Sequence, residues 1–174
     1  PAISPDGKYV AFLSEKDLFS IDLFLADAST GKVIRKLASR LTNADIDEFS
    51  FLESAGTFSP NSRKFAFSVF SKGKSKLMIV DVQNGRSLAL EAMGNISEFT
   101  NITWAPDGEQ VAFSGLKEGH SDIYLYNLNT KVLTQLTDDW YSDFQPSFSR
   151  DGRKIVFSTD RVSLQSNTRG VEIP

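Results

Sequence analysis

A nine-residue segment occurs four times in this chain, and its spacing decides the class of fold. The first copy begins at Ser4 and reads Ser-Pro-Asp-Gly-Lys-Tyr-Val-Ala-Phe, and the later copies begin at Ser59, Ala105 and Ser149. These starts are separated by 55, 46 and 44 residues. A period of about 45 residues is typical of proteins in which each repeat forms one supersecondary unit and neighbouring units stack.

Each copy of the segment predicts a tight turn followed by a β-strand. Proline presets φ at the second turn position, aspartate bonds back to its own backbone, and glycine accepts a positive φ. The glycine is lost at Ser62 and the proline at Arg150, so we expect those two turns to be weaker. Beyond each turn two apolar residues lie two apart and face the same side of a strand. These pairs are Val10 and Phe12, Phe65 and Phe67, Val111 and Phe113, and Ile155 and Phe157.

The segments between the turns predict four antiparallel strands per repeat, which is one blade of a β-propeller. We therefore predict an all-β chain of about three blades plus part of a fourth. The predicted repeats span residues 1–55, 56–101, 102–145 and 146–174, the last of them incomplete, with a candidate strand over 170–173. The longer first repeat indicates an insertion at a crossing between blades. Propellers close with roughly four to eight blades, so we expect this chain to be part of a larger propeller, with further blades or domains in the same polypeptide.

The composition excludes several classes of function. A net charge of −3 and a pI near 5.2 do not favour nucleic-acid binding, which needs a basic surface. The chain has no cysteine, which removes thiolate chemistry and cysteine metal sites. No apolar run approaches the roughly 18 residues of a membrane span.

Several motifs of the third and fourth repeats resemble the bacterial PD40 repeat, also called the TolB-like or WD40-like propeller repeat. The matching motifs are Trp104-Ala-Pro-Asp-Gly108, Asp122-Ile-Tyr124, Gln135-Leu-Thr137 and Gln145-Pro-Ser-Phe-Ser149. The resemblance implies a non-enzymatic scaffold that binds a protein or peptide partner in the bacterial envelope, in the periplasm or otherwise outside the cytoplasm. It also leaves an alternative, because related propellers filter substrates for prolyl-oligopeptidase-like serine hydrolases. In that case the catalytic domain would lie outside this chain.

The sequence offers no catalytic, cofactor-binding or metal-binding constellation. Its single histidine, His120, lies in a polar loop, and no Gly-x-Ser-x-Gly motif occurs. Asp138, Asp139 and Asp143 could form a carboxylate set of the kind that carbohydrate-active propellers use. Exposure of these acids on a turn is the favoured explanation, so the sequence predicts no enzyme activity in this chain and no cofactor.

The crossings between blades carry the candidate binding face. Counting back from the aromatic residue before each turn puts an acid at one of two adjacent positions, namely Glu53, Glu98 and Asp143. Together with Asp139, Trp140 and Tyr141, these acids predict an acidic and aromatic mouth that binds a basic peptide or a cation. The alternative is that the acids only solubilise exposed crossings while the aromatic residues pack between blades.

Overall fold

β-Strands form all of the regular secondary structure that the computed structural model describes, which is residues 1–17, 20–49 and 56–161. The prediction of an all-β chain is confirmed for these residues. The strands divide into two compact units, Pro1–Asn95 and Ile96–Pro174, called unit 1 and unit 2 below. Among the described residues there is no helix of the length and apolar character that would cross a membrane.

Unit 1 contains two antiparallel sheets whose neighbouring strands follow one another in the sequence. The first sheet is β1 (Ala2–Ile3), β2 (Tyr9–Asp17), β3 (Ser20–Asp27) and β4 (Val33–Ser39). The second is β5 (Glu48–Phe49), β6 (Thr57–Phe58), β7 (Lys64–Ser71), β8 (Lys74–Asp81) and β9 (Ser87–Ala92). Both β5 and β6 pair with β7, so these two short strands together take the position of the first strand of the meander.

Unit 2 repeats this arrangement. Its first sheet is β10 (Glu98–Trp104), β11 (Gln110–Lys117), β12 (His120–Asn127) and β13 (Leu133–Gln135). Its second sheet pairs β14 (Asp143–Phe148) with β15 (Ile155–Thr159). The predicted meander of four strands is therefore present in three sheets. The candidate strand over 170–173 lies outside the described residues.

A serine hydroxyl fixes the predicted turn in the first copy of the repeated segment. The Ser4 hydroxyl donates a hydrogen bond to the Asp6 carboxylate at 2.7 Å and accepts one from the Tyr9 N–H at 2.9 Å. Gly7 follows with φ of +70°, in the left-handed region that glycine enters without a steric penalty. The turn is thus set by side-chain bonds in addition to backbone geometry.

The other copies keep this turn although their sequences differ. In the second copy the Ser59 hydroxyl bonds to Asn61 and to the Lys64 N–H in the same way, and Ser62 takes the glycine position with φ of +59°. The fourth copy repeats both hydroxyl bonds through Ser149. In the third copy Ala105 has no hydroxyl, and two backbone hydrogen bonds of 2.9 Å close the turn. The Ala105 N–H donates to the Gln110 carbonyl oxygen, and the Gly108 N–H donates to the Ala105 carbonyl oxygen.

Aromatic side chains fill the interior of each unit. In unit 1 the ring of Phe58 packs edge-on against Phe65 at 4.7 Å between centroids. In unit 2 the ring of Phe113 lies between Phe99 at 5.0 Å and Tyr124 at 5.8 Å. These contacts arise because the predicted apolar pairs alternate with residues of the opposite face.

A β-bulge interrupts the first strand of both sheets in unit 2. The pairing register shifts between Thr100 and Thr103, and again between Phe144 and Ser147. Within these shifts Asn101 has φ of +52° and Gln145 has φ of +54°. A bulge bends a strand and re-aims the side chains beside it. Both bulges lie close to the strand starts where the candidate acids were predicted.

Candidate partner-binding site

The pairing register aligns the crossings without counting along the sequence. Val69, Gly115 and Thr159 each lie four residues after the first apolar residue of their strand. Their partners on the preceding strand are Phe49, Phe99 and Asp143. These three partners therefore occupy equivalent places in their sheets.

The same register identifies an acid that counting along the sequence missed. One residue before the equivalent places lie Glu48, Glu98 and Ser142, so Glu48 holds the position of Glu98. Glu53 lies outside the described residues. The insertion separates Phe49 from Thr57 by eight residues where Phe99 and Thr103 are four apart, and only a structural register reveals this offset.

The acids at these places differ in exposure. Glu48 and Glu98 are both exposed at the starts of β5 and β10. Asp143 begins β14 but is fully buried, with a relative exposure of 0%. Its main-chain oxygen accepts a hydrogen bond from the Ser121 hydroxyl at 3.2 Å, which ties β14 to β12. Asp143 thus belongs to the interior of unit 2 and not to a solvated rim.

The segment immediately before β14 is exposed and aromatic. Trp140 is 86% exposed, and its ring meets the ring of His120 edge-on at 6.2 Å. Tyr141 is also exposed, and its N–H donates to the Asp139 carboxylate at 2.9 Å. A bond from an aspartate carboxylate to the N–H two residues on is typical of a turn.

Arg161 connects three of the predicted site residues. Its guanidinium forms an ion pair with Asp139, lies 3.9 Å from Oδ2 of Asp143, and lies 5.8 Å from the centre of the Tyr141 ring. The structure therefore brings Asp139, Tyr141 and Asp143 together around one cation. Sequence reasoning did not find Arg161, because no local pattern links residue 161 to residues 139–143.

A second buried carboxyl, Asp122, lies close to this group. It accepts hydrogen bonds from the Gln135 amide at 3.0 Å and from the Thr137 hydroxyl at 3.1 Å. Burial raises the pKa of the Asp122 carboxyl above its usual value, and the charges of Asp138, Asp143 and Asp139 add to this effect. The surroundings of Asp122 are therefore strongly negative. Within residues 1–17, 20–49 and 56–161, no three acidic or histidine side chains are arranged to hold a metal ion.

Asp22 of unit 1 occupies the place that Asp122 occupies in unit 2, and its surroundings are the opposite. Lys36 lies across the strand from Phe24, as Gln135 does from Tyr124. The Lys36 ammonium lies 2.6 Å from the Asp22 carboxylate. Burial acts to raise the pKa of Asp22, but Lys36 and two serine hydroxyls outweigh it, and the pKa lies below the usual value.

We expect Asp22→Asn and Asp122→Asn to change stability in opposite directions at pH 7. Asp22→Asn removes the ion pair with Lys36 and should lower the free energy of unfolding by about 2 kcal/mol, the usual worth of a charged hydrogen bond. Asp122→Asn removes a buried charge in a negative environment and should raise the free energy of unfolding by up to about 1 kcal/mol. Urea unfolding followed by circular dichroism measures both changes.

The changes in the free energy of unfolding caused by the two variants should also become smaller at low pH, for different reasons. The contribution of Asp22 is present above the unfolded pKa of about 4 and is lost as the pH falls through its lower folded pKa. The penalty at Asp122 is present above its raised folded pKa and disappears as that carboxyl takes up a proton. Equal destabilisation by both variants at pH 7 would contradict the assignment of Asp122 as the destabilising member.

Residues 49–165 match the sequence model of PD40, the TolB beta propeller domain. The chain belongs to the TolB-like (PD40) β-propeller family. The predicted resemblance and the predicted propeller fold of four-stranded antiparallel blades are therefore confirmed.

Individual relatives of this TolB-like chain are longer than the chain itself. A TolB homolog of Chlorobium chlorochromatii is 31% identical over 158 residues, which is 89% of this chain and 35% of the relative. An uncharacterized protein of Agrobacterium fabrum is 28% identical over 93% of this chain and 50% of its own length. The crystal structure of TolB from Acinetobacter baumannii superposes with a TM-score of 0.69 at 24% identity, covering 99% of this chain and 39% of that one. The chain thus spans half or less of the length of these relatives.

Proposed function

We propose that this TolB-like chain is a non-enzymatic scaffold that binds a protein or peptide partner in the bacterial envelope, outside the cytoplasm. We propose further that residues 138–143 of unit 2 form the centre of the binding surface. The observation that carries this proposal is the 86% exposure of Trp140, which directly follows the exposed carboxylates of Asp138 and Asp139. The involvement of Glu53 and Glu98 in binding stays a prediction.

An exposed tryptophan in this setting favours binding over a purely structural role. Tryptophan is the residue type most enriched at the centres of protein interfaces, where one ring buries a large apolar area. Tyr141 and Phe144 follow Trp140 closely in the sequence, and all three are exposed. Exposed aromatic side chains are unfavourable in water, and a partner that covers them removes this cost.

Charge around Trp140 favours a basic partner. Asp138 and Asp139 are exposed beside it in the sequence, and Asp122 and Asp143 lie buried nearby. A negative patch attracts cationic partners and speeds their association at low ionic strength. A peptide that combines lysine or arginine with an apolar or aromatic residue complements both features.

The alternative function as the filtering propeller of a serine hydrolase has less support. Prolyl endopeptidases superpose on this chain with a TM-score of 0.60 but are 16% identical, so the likeness concerns the fold alone. The proposed location rests on the family resemblance. Recovery of the protein from the periplasmic fraction of its source cells would support that location, and recovery from the cytoplasmic fraction would contradict it.

Peptide selection tests the proposed function. We expect a library of random dodecapeptides displayed on phage to yield binders of the whole 174-residue chain that are rich in basic and aromatic residues. Trp140→Ala should weaken their binding at least about tenfold, as is usual for truncation of a central aromatic residue. Binding should also shift the fluorescence of Trp140, because the only other tryptophan, Trp104, is already buried.

Val156→Ala provides the matched control. Val156 is an apolar residue of unit 2 that is 65% exposed, and it lies in β15 away from residues 138–143 in the sequence. Its replacement should leave peptide binding unchanged. If no peptide is enriched, or if Trp140→Ala binds the selected peptides as well as the unchanged chain, the proposed function is wrong.

A further inference from the structure

Arg161 makes the contacts that an arginine side chain makes when it is bound as a ligand in a protein site. Its guanidinium pairs with the carboxylate of Asp139 and lies against the ring of Tyr141, with Asp143 behind it. A planar guanidinium prefers this combination of carboxylates and an aromatic face. Arg161 itself remains partly at the surface, with 34% of its side chain exposed. It therefore covers Asp143 while staying accessible from solvent.

The fit between Arg161 and Asp143 is incomplete on both sides. Neither carboxylate oxygen of Asp143 accepts a hydrogen bond from any residue that the structure describes, although the side chain is fully buried. The Nε of Arg161 is likewise buried without a hydrogen-bond acceptor among the described residues. A buried carboxylate that lacks hydrogen bonds destabilises the folded state. A guanidinium placed closer to Asp143 would satisfy it.

The charges around Asp143 also favour a second positive charge. The charges of Asp138, Asp139 and Asp143 all act on the carboxyl group of Asp122, so four acids lie in this region. Arg161 is the cation that the structure places against two of them. The local charge therefore stays negative with Arg161 in place, and an external cation is attracted to the same point.

We propose that Arg161 occupies a binding site for an arginine side chain of the partner. On binding, the partner's guanidinium displaces that of Arg161, pairs with Asp139 and Asp143, and lies against Tyr141, while an apolar part of the partner covers Trp140. This inference rests on the proposed function and names the partner's chemistry. It makes Arg161 an internal competitor that lowers the affinity of the site.

Blocked amino acids test the site without a partner protein. The probes are N-acetyl-arginine methylamide and its neutral analogue N-acetyl-citrulline methylamide, which has nearly the same shape. We expect Arg161→Ala to bind the arginine probe at least fivefold more tightly than the unchanged chain, because the competitor is gone. It should prefer arginine over citrulline at least tenfold, and adding Asp143→Asn should abolish that preference. The indole N–H resonance of Trp140 in NMR spectra reports binding.

Arg150→Ala is the matched control for charge. Arg150 is an exposed arginine of unit 2, so its replacement makes the same change in net charge without touching the site. It should leave the affinity for the arginine probe unchanged. Arg161→Gln keeps part of the side-chain stem and should give the same preference for arginine, which provides a test if Arg161→Ala does not fold.

Two outcomes overturn this inference. One is that Arg161→Ala and Arg161→Gln bind the arginine probe no better than the unchanged chain, and the other is that they bind citrulline equally well. Selected peptides that depend on Trp140 would then still support the proposed function. Conversely, arginine binding by Arg161→Ala in the absence of any peptide that depends on Trp140 would support the site and contradict the proposed function.

Discussion

Replacement of Gly56 by alanine is expected to lower the free energy of unfolding by about 3–5 kcal/mol. Gly56 has φ of +120°, a conformation that an L-amino acid rarely adopts. A Cβ built on it lies 2.4 Å from the carbonyl oxygen of Ala66, 2.7 Å from Cε1 of Phe65 and 2.8 Å from Cβ of Phe67. The nearest atom is backbone of the central strand β7, which cannot move aside without breaking its sheet pairing. Urea unfolding monitored by circular dichroism measures the change.

Gly7→Ala separates close packing from backbone strain. Gly7 also has a positive φ, of +70°, but a Cβ there meets no described atom within 4 Å. We expect Gly7→Ala to lose only about 1–2 kcal/mol, the usual penalty of a left-handed conformation. If both variants lose the same amount, the approach of β7 to residue 56 is not as close as the structure has it.

Replacement of Phe113 by alanine is the second large effect, with an expected loss of about 3–5 kcal/mol. Phe113 is fully buried at 0% exposure between the rings of Phe99 and Tyr124. Removal of its ring abolishes both aromatic contacts and leaves a cavity that rigid strands cannot close. Tryptophan fluorescence follows this change directly, because both tryptophans of the chain lie in unit 2.

Phe144→Ala is the control for loss of an aromatic ring as such. Phe144 lies in the same unit but is exposed, so its replacement should change the stability by less than about 1 kcal/mol. A small effect at Phe113 would contradict its place at the centre of the unit 2 core. A large effect at Phe144 would contradict the exposure of its ring.

Much of the fold could be predicted from the sequence because its signals are local. Turn residues next to apolar pairs such as Phe65 and Phe67 specify a hairpin within a dozen residues, and four repetitions of the pattern reinforce one another. The strand order follows from the same repetition. These predictions needed no knowledge of distant contacts.

The site depended on distant contacts, and here sequence reasoning reached less far. Residues 139–143 were predicted as acidic and aromatic, but Asp143 contacts Ser121 and Arg161, which are 22 and 18 residues away. The opposite behaviour of Asp22 and Asp122 depends on which residue lies across the sheet, and that requires the strand register. Glu48 was missed because an insertion disturbed the counting that the prediction relied on.

The serine-centred turns make the repeat tolerant of sequence drift. Three features specify each hairpin independently: a hydroxyl that bonds across the turn, a proline, and a glycine. The second copy has lost the glycine at Ser62 and the fourth the proline at Arg150, and both retain the hydroxyl. The third copy has lost the hydroxyl at Ala105 and retains proline and glycine. Such redundancy lets single substitutions accumulate without loss of the hairpin, so the repeats of one chain can diverge in sequence long before they diverge in shape.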